Sequence, residues 1–437
     1  MKLLQQKIED NQASYQHQVI EQKRTDDYNL FKTDINTLAM KISNRKDCIG
    51  LVSLYLSFFR DEHSFISYAD NQTPQPNIIV KSKSKKSKES ISFEGLWYFQ
   101  DGSFSINVTS GETIFGDWIA LINKDKSNSW KKGMLKIEFI KNPDGSFRCI
   151  YWKQNLIPKS LNVIYSDSYL QIGRNLVFYR HKPEAKETSN ADNNLHFESL
   201  SENTNYLRIP SFDLSFKNKI DSLIIKNRAT INSKENLIID LRNNGGGGFD
   251  AFQPLLPYIL DTNITETPYY GSVWVSQENY EYYDRTKYEY TETKQDSIDE
   301  LKYVAFLKAN MGRFTPIERV IDTIQLEKNS PLNIAIIFNR YTASTAEGFI
   351  LQASQSKKVK TYGENSAGAV SYGDWMPVEL PDLTIRVAIT TKKMIVKNNE
   401  DFESINISPA INLDYVSEKE WLKIILEKME KQTTMNR

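Results

Sequence analysis

The sequence predicts a multidomain α+β protein with an N-terminal helical unit, an antiparallel β module and a C-terminal α/β layered core. Three observations predict it. Apolar residues recur at helical spacing from about residue 5 to 60, and short aromatic-rich runs broken by turn signals fill residues 88–195. From residue 196 to 425, continuous apolar runs alternate with helical patterns. With 437 residues and 40% hydrophobic content, each part can bury a core of its own.

The helical unit, residues 1–75, has almost no Gly or Pro, and its last helix shows Leu51, Leu54, Tyr55 and Phe58 on one face. It ends at Asp61-Glu62-His63-Ser64-Phe65-Ile66. Pro74, Pro76 and the Lys/Ser run 81–88 then mark a polar connector. The β module, residues 88–195, contains Leu96-Trp97-Tyr98-Phe99, Phe104-Ser105-Ile106-Asn107-Val108, Trp118-Ile119-Ala120-Leu121-Ile122 and Leu135-Lys136-Ile137-Glu138-Phe139-Ile140. Asp144-Gly145 is a hairpin signal, and the module reads as a small barrel or a sandwich. Trp97, Trp118, Trp130 and Trp152 read as core, with the lining of a ligand groove as the alternative. In the C-terminal part, Leu237-Ile238-Ile239-Asp240-Leu241 and Leu332-Asn333-Ile334-Ala335-Ile336-Ile337-Phe338 read as strands buried on both faces. Helices are expected near 216–233, near 250–260 and from about 345. Residues 264–316 interrupt this core with seven tyrosines from Tyr269 to Tyr290, which reads either as a lid over a site or as a surface excursion packed by its own aromatics.

Composition narrows the function. Lys+Arg and Asp+Glu number 55 each, so no net field draws the chain to nucleic acid or an anionic membrane. Cys48 and Cys149 stand alone, which suggests neither a disulfide framework nor a zinc site. The N-terminal residues lack the apolar run of a secretory signal, and no stretch approaches the ~20 apolar residues of a spanning helix.

Two motifs carry chemistry. Asp240-Leu241-Arg242-Asn243-Asn244-Gly245-Gly246-Gly247-Gly248 follows a buried strand, and its glycines let backbone N–H groups turn towards an anion. A tight strand-to-helix turn is the plainer reading. Residues 246–251 also fit a relaxed dinucleotide fingerprint, but the loop lacks the Gly-Lys-Ser/Thr end of a phosphate-binding loop. The second motif, Tyr341-Thr342-Ala343-Ser344-Thr345-Ala346-Glu347, places a serine where a helix begins, so that its oxygen lies in the positive field of the helix N-terminus. Ser344-x-x-Glu347 is equally a capping box. A serine needs a base, and the histidines are only His17, His63, His181 and His196.

Taken together, Asp-x-His-Ser at 61–64, Leu-Ile-Ile-Asp-Leu-Arg-Asn-Asn-Gly-Gly-Gly at 237–247 and Thr-Ala-Ser-Thr-Ala-Glu at 342–347 resemble the C-terminal-processing (tail-specific) and tricorn-type serine peptidases. The resemblance implies a ClpP/crotonase-like peptidase core and hydrolysis of peptide or protein substrates without metal or organic cofactor. It implies Ser344 as nucleophile, with Gly246 and the N–H of Thr345 facing the oxyanion and with Ser64 and Gly247 in support. Ala369 stands where the lysine-using members carry lysine, which points to the histidine branch with His63 as base. Glu403, in Phe402-Glu403-Ser404-Ile405-Asn406-Ile407-Ser408-Pro409, is then the orienting acid, with Asp374 as the substitute. The family resemblance also suggests a periplasmic or envelope setting. Two other functions share the expected fold: a non-catalytic peptide-binding protein, and an acyl-thioester enzyme of the crotonase type.

Overall fold

The computed structural model describes residues 1–69, 91–183, 193–263, 269–289, 291, 293–317, 323–396 and 406–436. The Lys/Ser run 81–88, Tyr290 and Glu403 lie outside the described residues. The chain divides into two units. One comprises Met1–Glu187, Trp274–Thr315 and Asp374–Lys392, and the other Thr188–Val273, Pro316–Gly373 and Lys393–Arg437.

In the first unit the helical segment and the β module share one core, although they read as separate domains in the sequence. The helix Arg45–Leu56 is started by Asn44, whose side chain accepts from the Asp47 N–H at 3.0 Å. It is buried on nearly every side from Ile49 to Leu56. One side meets the helix Thr25–Ala39, where Tyr28 Oη lies 2.6 Å from Tyr55 Oη. The other meets the β module, where Ser53 Oγ accepts from the Ser160 N–H at 2.8 Å and Gly50 lies against the Phe115 ring, 2.9 Å from where a Cβ would be. Tyr55 and Phe59 therefore belong to one apolar cluster with Ile119, Ile150 and Trp152.

The β module is a closed antiparallel barrel of eight strands: Gly95–Phe99, Phe104–Ser110, Trp118–Asp125, Leu135–Lys141, Phe147–Trp152, Pro158–Tyr165, Tyr169–Ile172 and Leu176–Tyr179. Each strand pairs with the next, and Phe99↔Phe178 closes the ring. Asp144-Gly145 makes the turn between the fourth and fifth strands, with Gly145 at φ +84°. Trp97, Trp118 and Trp152 are buried, and Ile106, Ile137, Phe139 and Phe178 pack with Trp97 inside the barrel. The interior is a side-chain core, as expected for a barrel of this size.

The tyrosine-rich excursion belongs to this same unit. Its helices Gln277–Thr286 and Lys294–Lys308 start at Ser276 and Thr293 caps. Asn11 fixes the segment, since its Oδ1 accepts from Ser276 Oγ at 2.6 Å and its carbonyl from Asn279 Nδ2 at 2.8 Å.

The second unit is built on a six-stranded sheet in the order His196–Ser199, Thr204–Arg208, Asn236–Asp240, Asn333–Phe338, Val359–Gly363, Ile411–Asn412. Only the first pair is antiparallel. Ile239 and Ile336 face the helices Leu214–Asn232 and Thr345–Ala353, through Ile220, Ile224 and Phe349. Ile238 and Ile337 face the helix Glu418–Asn436, through Trp421 and Ile425. Burial on both faces is why the strands read as unbroken apolar runs. The helix expected near 250–260 is instead a series of short turns ending in Leu256–Ile259. Pro254 and Pro257 supply no N–H to a continuous helix there.

Candidate active site

The site in the second unit begins where the strand Asn236–Asp240 ends. Asp240 is fully buried, and Arg242 turns back to grip it, with Nε 3.0 Å from Oδ1 and an Nη 2.6 Å from Oδ2. Tyr206 Oη donates to the same carboxylate at 2.9 Å. Arg208 satisfies the carbonyls of Ile209, Asp240 and Arg242. Burial alone would raise the Asp240 carboxyl, but the charge and hydrogen bonds of Arg242, with Arg208 behind it, hold it below its ordinary value. A depressed carboxyl contributes stability that is present above the unfolded value near ~3.9 and is lost as pH falls through the folded one. Asp240→Asn should therefore flatten the acid limb of the stability curve, read as urea midpoints between neutral pH and pH 3. An unchanged acid limb would mean that the cluster is not the acid-sensitive element.

The clamp launches a loop stitched to the segment before Ser344. Asn243 and Asn339 bond reciprocally, the Asn243 N–H to Asn339 Oδ1 at 3.0 Å and Asn339 Nδ2 to Asn243 Oδ1 at 2.9 Å. The Asn244 carbonyl accepts from the Ala343 N–H at 2.9 Å, and Thr345 Oγ1 donates to the Gly247 carbonyl at 2.6 Å. Gly246 and Gly247 have φ of +97° and +145°, a region that disfavours any side chain. A Cβ on Gly247 would stand 2.1 Å from the Phe212 carbonyl, because the two residues form a parallel bridge. A Cβ on Gly246 would stand 2.9 Å from both Ser344 Cβ and the Thr345 nitrogen. The Gly246 N–H itself donates to Asn244 Oδ1 at 3.0 Å. The N–H groups of Gly247 and Thr345 make no hydrogen bond among the described residues.

Ser344 sits between the strand Asn333–Phe338 and the helix Thr345–Ala353 at φ +56°, ψ −122°. A non-glycine residue in that region carries strain of about 1–3 kcal/mol and persists only where its surroundings enforce it. The enforcement here comes from Glu347. The capping box forms, with the Ser344 N–H donating to Glu347 Oε2 at 2.8 Å. Glu347 is far more than a cap. Its carboxylate is fully buried and also accepts from Ser366 Oγ at 2.6 Å, the Gly368 N–H at 2.8 Å and the Ala369 N–H at 2.8 Å. Burial pushes its carboxyl above the ordinary value, and these four hydrogen bonds oppose the rise. Ser366 Oγ in turn accepts from the Ile407 N–H at 2.8 Å.

His63 and Ser64 lie in the first unit, in the turn between the helical segment and the strand Phe65–Tyr68. The buried Asp61 accepts from the His63 N–H at 3.0 Å and from Ser64 Oγ at 2.9 Å. Glu62 pairs with Lys159. Partial desolvation works against its charge, but Lys159, assisted by Arg174 and His63, holds the carboxyl of this exposed residue below the usual range. Asp374 is ion-paired with Lys392.

The family model for Peptidase family S41 matches residues 203–413, which contain both the glycine loop and Ser344. These residues are an S41 peptidase domain. The chain is accordingly a serine-type peptidase, acting on peptide or protein substrates. Mature CPAF complexed with lactacystin is 14% identical, over 99% of this chain and 96% of that one, with a TM-score of 0.54. Mature CPAF alone is 13% identical, over 96% and 92%, with a TM-score of 0.53. The photosystem II D1 C-terminal processing protease is 14% identical, over 85% and 83%, with a TM-score of 0.34. The CPAF structures share the fold of this chain. A search of curated proteins finds no match.

Within the S41 domain, Gly246, Gly247, Ser344 and Thr345 are brought together. Two parts of its machinery were not read from the sequence. Glu347 was legible only as a cap, because three of its four donors come from residues 19 to 22 positions further on. Asn244 gave no signal, although its amide takes the Gly246 N–H and its carbonyl holds Ala343. Among the described residues no group of three or more His, Cys, Asp or Glu could hold a metal ion. No described helix is long and apolar enough to cross a membrane.

Proposed function

We propose that the peptidase works through a Ser344–His63–Glu403 triad. His63 takes the hydroxyl proton as Ser344 Oγ attacks a peptide carbonyl, and Glu403 stabilises the imidazolium. Collapse of the tetrahedral intermediate expels the amine with that proton and leaves an acyl-enzyme, which water then hydrolyses. The observation that carries this reading is the strained Ser344 at the start of the helix Thr345–Ala353, beside a glycine loop with an N–H that makes no hydrogen bond among the described residues. In the oxyanion role we place the N–H groups of Thr345 and Gly247. This revises the expectation for Gly246, whose N–H is committed to Asn244 and whose missing side chain leaves the space open. Support for Glu403 comes from Ile407, which follows it in the chain and is bonded to Ser366, itself bonded to Glu347 behind the nucleophile. Asp374, already engaged by Lys392, is the weaker choice of acid. On the family resemblance we place the enzyme in the periplasm or cell envelope.

A fluorescent fluorophosphonate tests the chemistry without knowledge of the substrate. The parent is expected to label, peptide mapping to place the adduct on Ser344, and His63→Ala to lose labelling. An adduct on another residue, or a folded parent that does not label, rejects the proposal.

A further inference from the structure

The turn carrying His63 is fixed from two directions by groups outside it. Arg60, at φ +48°, ends the helical segment and turns the chain so that the Asp61 side chain points inward. Its carboxylate is then the centre of a knot. Oδ1 takes the His63 N–H at 3.0 Å, while Oδ2 takes Ser64 Oγ at 2.9 Å and Thr390 Oγ1 at 2.6 Å. Gln12, which interrupts the N-terminal helix at an extended ψ of 126°, donates its Nε2 to Ser64 Oγ at 2.8 Å and reaches Asp61 Oδ2 at 3.5 Å. Asp61, Thr390 and Gln12 are all buried. Thr390 belongs to the strand Ile385–Val396, which also pairs with Phe65–Tyr68 directly after the turn, from Phe65↔Ala388 to Tyr68↔Ile385.

The residues flanking His63 are thus held to one strand twice, by a ladder on its C-terminal side and by Asp61–Thr390 on its N-terminal side. Burying a carboxylate is costly unless donors satisfy it, and here three separate segments supply them, which makes the network rigid. A surface turn needs no such knot, and among the described residues the backbone N–H that Asp61 Oδ1 holds is that of His63.

We infer that Asp61 and Thr390 are positioning residues that set where the His63 imidazole stands; the inference rests on the reading of His63 as base. Displacing a catalytic group by about 1 Å can cost a hundredfold in rate. The Thr390 hydroxyl therefore carries an effect on rate that its methyl group does not.

Two substitutions separate positioning from packing. Thr390→Val keeps the shape and β-branching but leaves Asp61 without its Thr390 donor, and should slow fluorophosphonate labelling roughly tenfold to a hundredfold. Thr390→Ser keeps the hydroxyl and loses the methyl, and should recover most of the rate. A packing role gives the opposite order, because the serine then leaves a void in the core while the valine fills it. Both are compared with the parent below their melting temperatures. If Thr390→Val does not fold, Ser64→Ala breaks another arm of the same knot at a half-buried position and should also slow labelling. Equal rates for parent and Thr390→Val, or a serine variant as slow as the valine, overturn the inference. Labelling that survives in His63→Ala shows instead that the base has been misassigned, and that result is read before either Thr390 variant is compared.

Discussion

Ser344→Ala is expected to lower peptide hydrolysis by roughly four to six orders of magnitude while leaving the protein folded. The loss is large because an alanine offers no nucleophile, and only oxyanion stabilisation and substrate binding remain to speed attack by water. The fold survives because the backbone at this position is enforced from outside the side chain. The Ser344 N–H still reaches Glu347, and the Ala343 N–H still reaches the Asn244 carbonyl. Alanine carries a Cβ as serine does, so the strain of φ +56° is unchanged. What goes is the hydroxyl half of the capping box, worth about 1 kcal/mol. His63→Ala should give a comparable loss of kcat/KM, and the double variant should be no worse than either, since in the proposed triad the two residues act on one proton. Measurable additivity in kcat/KM, or a purified Ser344→Ala protein that cleaves at a tenth of the parent rate, would place the chemistry elsewhere.

Much of the fold was legible because the relevant signals are local. Leu237–Leu241 and Leu332–Phe338 read as doubly buried strands, and helices do cover both faces of the sheet that contains them. The β module was legible as antiparallel strands, with a closed barrel as one of two readings that the sequence could not separate. Closure depends on Phe99 meeting Phe178, a pairing set by the summed twist and stagger of eight strands rather than by any segment of sequence. The merging of helical segment and barrel was hidden for a similar reason. Gly50 in a helix reads as a weakness in that helix, yet it is what lets the Phe115 ring approach.

The candidate site was legible to the extent that its motifs are runs of consecutive residues. The glycine loop and the Ser344 segment are each short and distinctive, and the structure brings them into contact. Which N–H of the loop stays available was not legible, because it depends on the Asn244 side chain folding back onto Gly246. Long-range partners were invisible. Thr390 lies 329 residues from Asp61, and no spacing rule connects a threonine in a strand to an aspartate in a distant turn. Glu347 shows how a local signal can be true and incomplete, since Ser344-x-x-Glu347 does form a capping box while the carboxylate's other three bonds decide its importance.

That excess of bonds makes Glu347→Gln the substitution with the largest expected cost to the fold of the S41 domain. The glutamate has two acceptor oxygens for four donors: the Ser344, Gly368 and Ala369 N–H groups and the Ser366 hydroxyl. Glutamine has the same shape but replaces one oxygen with an amide that itself donates, so it confronts at least one N–H with another N–H in a site closed to water. Each buried donor left without an acceptor costs about 1–3 kcal/mol. With one or two orphaned, the variant should lose roughly 2–5 kcal/mol in urea denaturation, beyond the cost of an ordinary cap. Activity should fall further than stability predicts. The same carboxylate enforces the backbone at Ser344 and, through Ser366, holds Ile407 beyond Glu403. Labelling measured where the variant is still folded should therefore be slowed at least tenfold. A Glu347→Gln protein that unfolds within 1 kcal/mol of the parent and labels at the parent rate would show that the strained serine is held by the chain around it rather than by this carboxylate.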